Sequence, residues 1–186
     1  GLVSPTRGEG ELAGEPLPVG APWNVARAGV GHVPEGRGIF PGLSVARNLA
    51  LARYATPPEA EHTFDVLSLF PILGDRPGQL AGTLSGGQQQ MLAIARVLAA
   101  SPSVVLCDEL SLGLAPSLVK ELFGVVRTIS ASGTTVILVE QFVSEALELA
   151  DLVAVLARGR LVFFGEPGEL RDGDATDLLD HYMGKA

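Results

Sequence analysis

The spacing of apolar positions along the chain changes several times, and each change marks an element. Residues 1–22 hold no sustained period. Gly and Pro break them into short segments around Glu9–Glu11 and Leu17, which read as loops and weak strands. Trp23–Ala28 suits one or two helical turns closed by Gly29, and Val30–Val33 is a short strand stopped by Pro34. Ser44 stands as N-cap for a helix through Tyr54, and Pro58–Phe70 fits a second helix with Pro in its first turn. Pro71, Gly74, Pro77 and Gly78 mark a loop. Leu84–Gln88 then opens a helix to about Ala100, and Val104–Cys107 is a continuous apolar run, the pattern of a strand buried on both faces. Leu118, Val119, Leu122, Phe123, Val126 and Ile129 recur at helical spacing until Gly133. Thr134–Val139 is the next strand and Val143–Ala150 the next helix. Leu152–Leu156 and Leu161–Phe164 are strands around the turn Arg158-Gly159, and two short helices close the chain.

From Leu84 onward helices and strands alternate, which predicts an α/β fold on a parallel sheet. Residues 44–83 read as mostly helical, an inserted helical subdomain. Internal repeats and low-complexity tracts are not evident. A length of 186 residues suits one domain with a real core. The balance of 47% hydrophobic against 5% aromatic residues suits aliphatic buried strands.

Charge and cysteine content narrow the function classes. A net charge of −8 with no basic face disfavours a nucleic-acid binder. Cys107 is the one cysteine, so no disulfide forms within the chain, and its apolar neighbours predict a core thiol in a reducing compartment. The longest apolar stretch, Met91–Leu106, is interrupted by Arg96 and Ser101-Pro102-Ser103, so it does not read as a membrane span. No secretory signal is visible at the N-terminus. His32, His62 and His181 have no neighbouring His or Cys at ligand spacing and imply no metal site. Trp23 reads as a packing residue.

Two motifs carry chemistry. In Leu84-Ser85-Gly86-Gly87-Gln88 a helix begins where its unpaired N–H groups and partial positive charge favour an anion. Two glycines let backbone approach a phosphate, and Ser85 adds a hydroxyl donor. Alone, the same residues read equally as an ordinary Ser-capped helix. Twenty residues on, the Val104–Cys107 strand runs into Asp108-Glu109. Carboxylates just beyond a buried parallel strand sit where α/β proteins bind ligands. There Asp108 suits Mg²⁺ and Glu109 suits a general base, although Asp-Glu at a strand end is also a common solvated pair. Glu35 and Gln141, each following an apolar strand, are by themselves ordinary loop polar residues.

The longer string Leu84–Arg96 resembles the signature helix of ATP-binding cassette (ABC) ATPases, and Val104–Glu109 resembles their Walker B motif. Ser111-Leu112-Gly113-Leu114-Ala115-Pro116 is similar to the D-loop, and Val33–Pro41 stands where these proteins have the Q-loop. Most members carry Gln where this chain has Glu35, His where it has Gln141, and Pro where it has Leu110. Val-Pro-Glu-Gly-Arg, Ser-Leu-Gly-Leu-Ala-Pro and Val-Glu-Gln, with the closing stretch Ala150–Pro167, look like one subgroup: the second ATPase subunit of branched-chain amino acid importers.

The resemblance implies a P-loop NTPase-like α/β fold. It implies residues 1–43 as a β subdomain remnant with the Q-loop, 44–83 as helical subdomain, 84–165 as signature helix and core, and 166–186 as C-terminal helices. It implies Glu109 and Gln141 as catalytic residues. Ser85, Gly86, Gly87 and Gln88 become nucleotide-binding, with Asp108 and Glu35 facing Mg²⁺. Gly113, Leu114, Arg37 and Phe40 become partner contacts. The implied substrate is ATP. The implied partners are a second ATP-binding subunit, identical or not, integral membrane permease subunits and, indirectly, an extracytoplasmic solute-binding protein, with no nucleic acid. The implied location is peripheral, on the cytoplasmic face of a bacterial inner membrane.

One motif does not occur in these residues: Gly-x-x-x-x-Gly-Lys-Ser/Thr, the phosphate-cradling P-loop. The expectation is a cassette truncated before residue 1, without its first core strand, with weak nucleotide binding in cis and a destabilised fold. Two rival readings remain. One is a non-catalytic interaction protein that binds a partner cassette. The other is a soluble ABC ATPase of translation or DNA repair, which the net charge and the lack of a long coiled-coil insertion disfavour.

Overall fold

The computed structural model describes residues 3, 5–18, 20–53 and 64–171. Internal packing divides the chain into two units, residues 1–141 and 142–186.

The first unit opens with a short antiparallel hairpin, β1 (Glu11–Leu12) and β2 (Glu15–Pro16), turned through Ala13 and Gly14 at φ 51° and 83°. Helix α1 (Pro22–Arg27) follows, with Pro at its start and Gly29 just beyond it at φ 97°. Trp23 lies on the surface, 62% exposed. Strand β3 (Val30–Val33) leads into a loop and then helix α2 (Val45–Arg53), whose N-cap is Ser44: its Oγ accepts from Arg47 N at 3.3 Å.

The second predicted helix differs from expectation. Residues 54–63, and with them Tyr54, Pro58 and His62, lie outside the described residues. Beyond them Phe64 and Asp65 are not helical. Asp65 caps a single turn, α3 (Val66–Leu69), accepting from Leu67 N, Ser68 N and Ser68 Oγ. The Ser68 hydroxyl is the main reason the Asp65 carboxyl sits below its ordinary range. Phe70 leaves the helix at φ −132°, because a residue before proline is pushed out of the α region. Pro71 then starts a further turn, α4 (Pro71–Gly74), where a loop was expected. A 3₁₀ turn at Ala81–Thr83, also unexpected, precedes the long helix α5 (Gly86–Leu98).

Strand β4 (Val104–Asp108), helix α6 (Pro116–Ala131) and strand β5 (Thr135–Val139) complete the unit. The sheet order is β3-β4-β5, all parallel, as the alternating pattern predicts. The core gathers where α5 and α6 cover this sheet: Leu92, Ile94, Leu98, Val105, Leu122 and Ile129 are at most 1% exposed. Gly31 sets the spacing, since a Cβ there would collide with Val97 of α5. Cys107 lies in this core, 3% exposed, and burial, followed by the Glu140 charge, pushes its thiol up to about 12. On the other face of β5, Ile137 and Val139 are exposed.

The second unit holds α7 (Val143–Leu149), the strands β6 (Val153–Ala157) and β7 (Arg160–Gly165), and α8 (Pro167–Arg171). Here the alternation no longer gives a parallel strand. Arg158 and Gly159 both have positive φ, 49° and 75°, which suits a tight two-residue hairpin turn and makes β6 and β7 an antiparallel pair. The last predicted helix and His181 lie outside the described residues.

Candidate functional site

Parallel register brings three chain crossings to one end of the sheet. Val33 is level with Cys107 and Asp108 with Val139, so Glu35, Asp108-Glu109 and Glu140-Gln141 all leave the sheet at its C-terminal end. That is where an open α/β sheet places its ligand site. Asp108 precedes Glu109 in the chain, Gln141 is brought to it, and Glu35 leaves the same end of the sheet.

Glu109 has φ 49°, a left-handed conformation that costs a non-glycine residue roughly 1–2 kcal/mol. It is held there from both sides. Its N–H donates to Val139 O at 2.8 Å, and the next residue, Leu110, is 1% exposed. Gln141 Nε2 donates to Glu109 Oε1 at 2.8 Å. A neutral amide donor in this position orients the carboxylate. Beyond Leu110 the chain makes two successive turns, Leu112 N to Glu109 O and Leu114 N to Ser111 O. Gly113 has φ 71°, and Pro116 starts α6. Gly113 and Leu112 are exposed and Leu114 is half-buried.

The second cluster lies at the start of α5. Ser85 and Gln88 form a reciprocal capping box: Gln88 N donates to Ser85 Oγ at 3.3 Å and Ser85 N to Gln88 Oε1 at 3.0 Å. Both side chains are therefore engaged in starting the helix, and the Ser85 hydroxyl keeps its own proton to donate outward. Gly86 and Gly87 differ in why they are glycine. Gly87 is buried, and the Leu118 side chain of α6 fills the space a Cβ would take. Close packing, not phosphate approach, accounts for glycine there. Gly86 is half-buried, and a Cβ on it would lie 3.1 Å from Arg37 Nη2.

Arg37 belongs to the third segment, the loop after β3. Gly36, Arg37 and Gly38 all have positive φ, 81°, 75° and 60°. Two residues of α5, two helical turns apart, hold this turn. Gln89 Oε1 accepts from Arg37 Nη1, and Arg96 Nη1 donates to Gly38 O. The Arg96 guanidinium also lies 4.7 Å from the centre of the Phe40 ring. Burial pulls the pKa of Arg96 below its ordinary value. Asn48, fully buried, ties Phe40 to α2: its Oδ1 accepts from Phe40 N, and its Nδ2 donates to Phe40 O, Leu43 O and Ser44 O. Arg37 is thus committed within the chain, whereas Phe40 keeps 47% of its surface exposed.

Sequence reading did not find Glu140, Gln89, Arg96, Asn48 or Leu118. Glu140 had a signal: it follows β5 as Asp108-Glu109 follow β4. Among the described residues no group of three or more His, Cys, Asp or Glu forms a ready metal cage. Mg²⁺ on nucleotides takes one or two carboxylates and completes its shell with phosphate and water. Asp108 and Glu35 at one sheet end fit that requirement.

The family model described as ABC transporter matches residues 1–111. The high-affinity branched-chain amino acid transport ATP-binding protein BraG of Pseudomonas aeruginosa is 44% identical over 186 residues, covering 97% of this chain and 78% of that protein. The probable branched-chain amino acid transport ATP-binding protein LivF of Archaeoglobus fulgidus is 32% identical over 184 residues, covering 97% of this chain and 75% of that protein. Among solved structures, the ADP conformation of MJ1267, an ATP-binding cassette of an ABC transporter, matches with TM-score 0.79 at 22% identity, covering 96% of this chain and 78% of that one.

Proposed function

Because this chain belongs to the ABC transporter family as an ATP-binding domain, we propose that it is the ATP-hydrolysing subunit of an importer of branched-chain amino acids. The observation that carries the chemistry is the Gln141–Glu109 hydrogen bond at the C-terminal end of the parallel sheet. Glu109 is the general base. With Gln141 holding one carboxylate oxygen, the other accepts a proton from the water that attacks the γ-phosphorus. Asp108 and Glu35 would hold Mg²⁺, which when bound neutralises charge on the phosphates.

Ser85, Gly86 and the first N–H groups of α5 face ATP held by a second ATP-binding subunit, identical or not. The helix start supplies unpaired amides and partial positive charge, and Ser85 supplies its hydroxyl. Gln88 acts through the capping box, and Gly87 by admitting Leu118. Gly113 and Leu114 meet the partner subunit, and Phe40 and the Arg37 loop meet the permease. These 186 residues contain no phosphate-cradling Gly-x-x-x-x-Gly-Lys-Ser/Thr, so this polypeptide alone binds ATP weakly. Among the described residues no helix is long and apolar enough to cross a membrane. The location proposed is peripheral, on the cytoplasmic face, attached through permease partners.

A second reading, in which the chain lends its α5 turn to a partner's ATP without turnover of its own, rests on Ser85 and the unpaired N–H groups at the start of α5. Leucine uptake by vesicles carrying the assembled transporter separates the two. The first reading expects Glu109→Gln to abolish ATP-dependent uptake. Undiminished uptake by that variant would select the second, and uptake of an unrelated solute only would overturn the substrate class.

A further inference from the structure

We propose that Glu140 is a positioning residue for Glu109, acting through Ser111. The proposal rests on the reading of Glu109 as the base.

Three successive residues at and beyond the end of β5 each hold one part of the turn that follows β4. Val139 O accepts from Glu109 N at 2.8 Å. Glu140 Oε1 accepts from Ser111 N at 3.2 Å, and Glu140 Oε2 accepts from Ser111 Oγ. Gln141 Nε2 donates to Glu109 Oε1 at 2.8 Å. Both oxygens of Glu140 are therefore engaged with one residue. Two bonds to one residue fix orientation as well as distance.

Burial makes the arrangement specific. Ser111 is 2% exposed and Leu110 1%, and Glu140 itself is half-buried. Removing the carboxylate leaves the Ser111 N–H and hydroxyl without their protein acceptor. The strained φ of 49° at Glu109 can then relax, because the turn is tethered on one side only. Relaxation carries the Glu109 carboxylate off Gln141. Glu140 thus bears on the base without touching it.

The Gln141 side-chain amide reports this without nucleotide. The measurement is its NMR signal, with hydrogen exchange at Ser111 N–H, in the wild type and in Glu109→Ala, Glu140→Ala, Glu140→Gln and Ser111→Ala. Glu140→Ala is expected to move the Gln141 signal to its position in Glu109→Ala and to speed Ser111 exchange about tenfold or more. Glu140→Gln keeps one acceptor and restores the signal most of the way, and Ser111→Ala shifts it partly. A folded Glu140→Ala with the Gln141 signal at its wild-type position overturns the proposal. So does a Glu140→Gln protein no closer to wild type than Ser111→Ala, the comparison that decides should Glu140→Ala fail to fold. A transporter whose ATP turnover ignores Glu109→Gln would defeat the proposed chemistry and leave these signals unchanged, so the two failures are distinguishable.

Discussion

The Leu118 side chain of α6 occupies the space that a Cβ on Gly87 would need. That contact ties the helix that opens at Ser85 to the segment that follows Asp108-Glu109. The turn after Asp108-Glu109 runs into α6, and the first turn of α6 seats the helix that opens at Ser85. Gly87→Ala should therefore destabilise the protein by about 1–3 kcal/mol through overpacking. Leu118→Ala in the same chain should recover most of that loss. A double-mutant cycle by urea denaturation checks it, and additive effects would show that the contact is not the cause.

Asn48→Ala should cost about 1–3 kcal/mol, since it strips hydrogen bonds from the backbone of Phe40, Leu43 and Ser44 in a closed site. Asn48→Asp should not rescue it, because an ionised carboxylate cannot donate to the three carbonyls. Denaturation midpoints of the two variants decide the point. An Asn48→Asp variant as stable as the wild type would mean the donor bonds contribute little.

Glu109→Gln should lower ATP turnover by the assembled transporter by roughly 10²–10⁴-fold, the usual range for a lost general base. Gln141→Ala removes one hydrogen bond to a charged group and should lower it by roughly 10–100-fold, with KM for ATP little changed. Equal losses in kcat and affinity for Gln141→Ala would place this residue in binding rather than in holding the base.

Cys107 supplies a pH prediction. Its folded pKa is raised from 9.0 to about 12 by burial and then by the Glu140 charge. Above pH 9 the unfolded thiol loses its proton while the folded one keeps it. Stability from this group is thus whole below pH 9 and is lost progressively towards pH 12. Wild type should lose stability over that window more steeply than Cys107→Ala. The native thiol should also resist thiol reagents at pH 8 until the protein unfolds. Rapid labelling of the native protein would contradict its burial.

The β3-β4-β5 framework and its order of elements were legible because long apolar runs and periodic helices dominate residues 84–139. The placement of Asp108, Glu109 and Gln141 at one end of the sheet was legible because parallel strands deliver their following residues there. Local proline geometry was harder to read. Phe64–Gly74 looked like a helix followed by a loop, but Asp65 and Pro71 divide it into two single turns. The clamp residues were not legible for another reason. Glu140 to Ser111, Arg96 to Gly38 and Arg37 to Gln89 are contacts between segments 29, 58 and 52 residues apart, and no local period encodes them.

The decisive measurement is Mg²⁺-dependent ATP hydrolysis by this purified polypeptide, alone and mixed with an ATP-binding subunit that carries its own phosphate-cradling loop. Alone, these 186 residues should show no saturable hydrolysis. The mixture should show stimulated turnover that falls when Ser85→Asn, which keeps a helix cap, removes the hydroxyl. Stimulated turnover that Ser85→Asn leaves unchanged would contradict the placing of the α5 start against the partner's ATP.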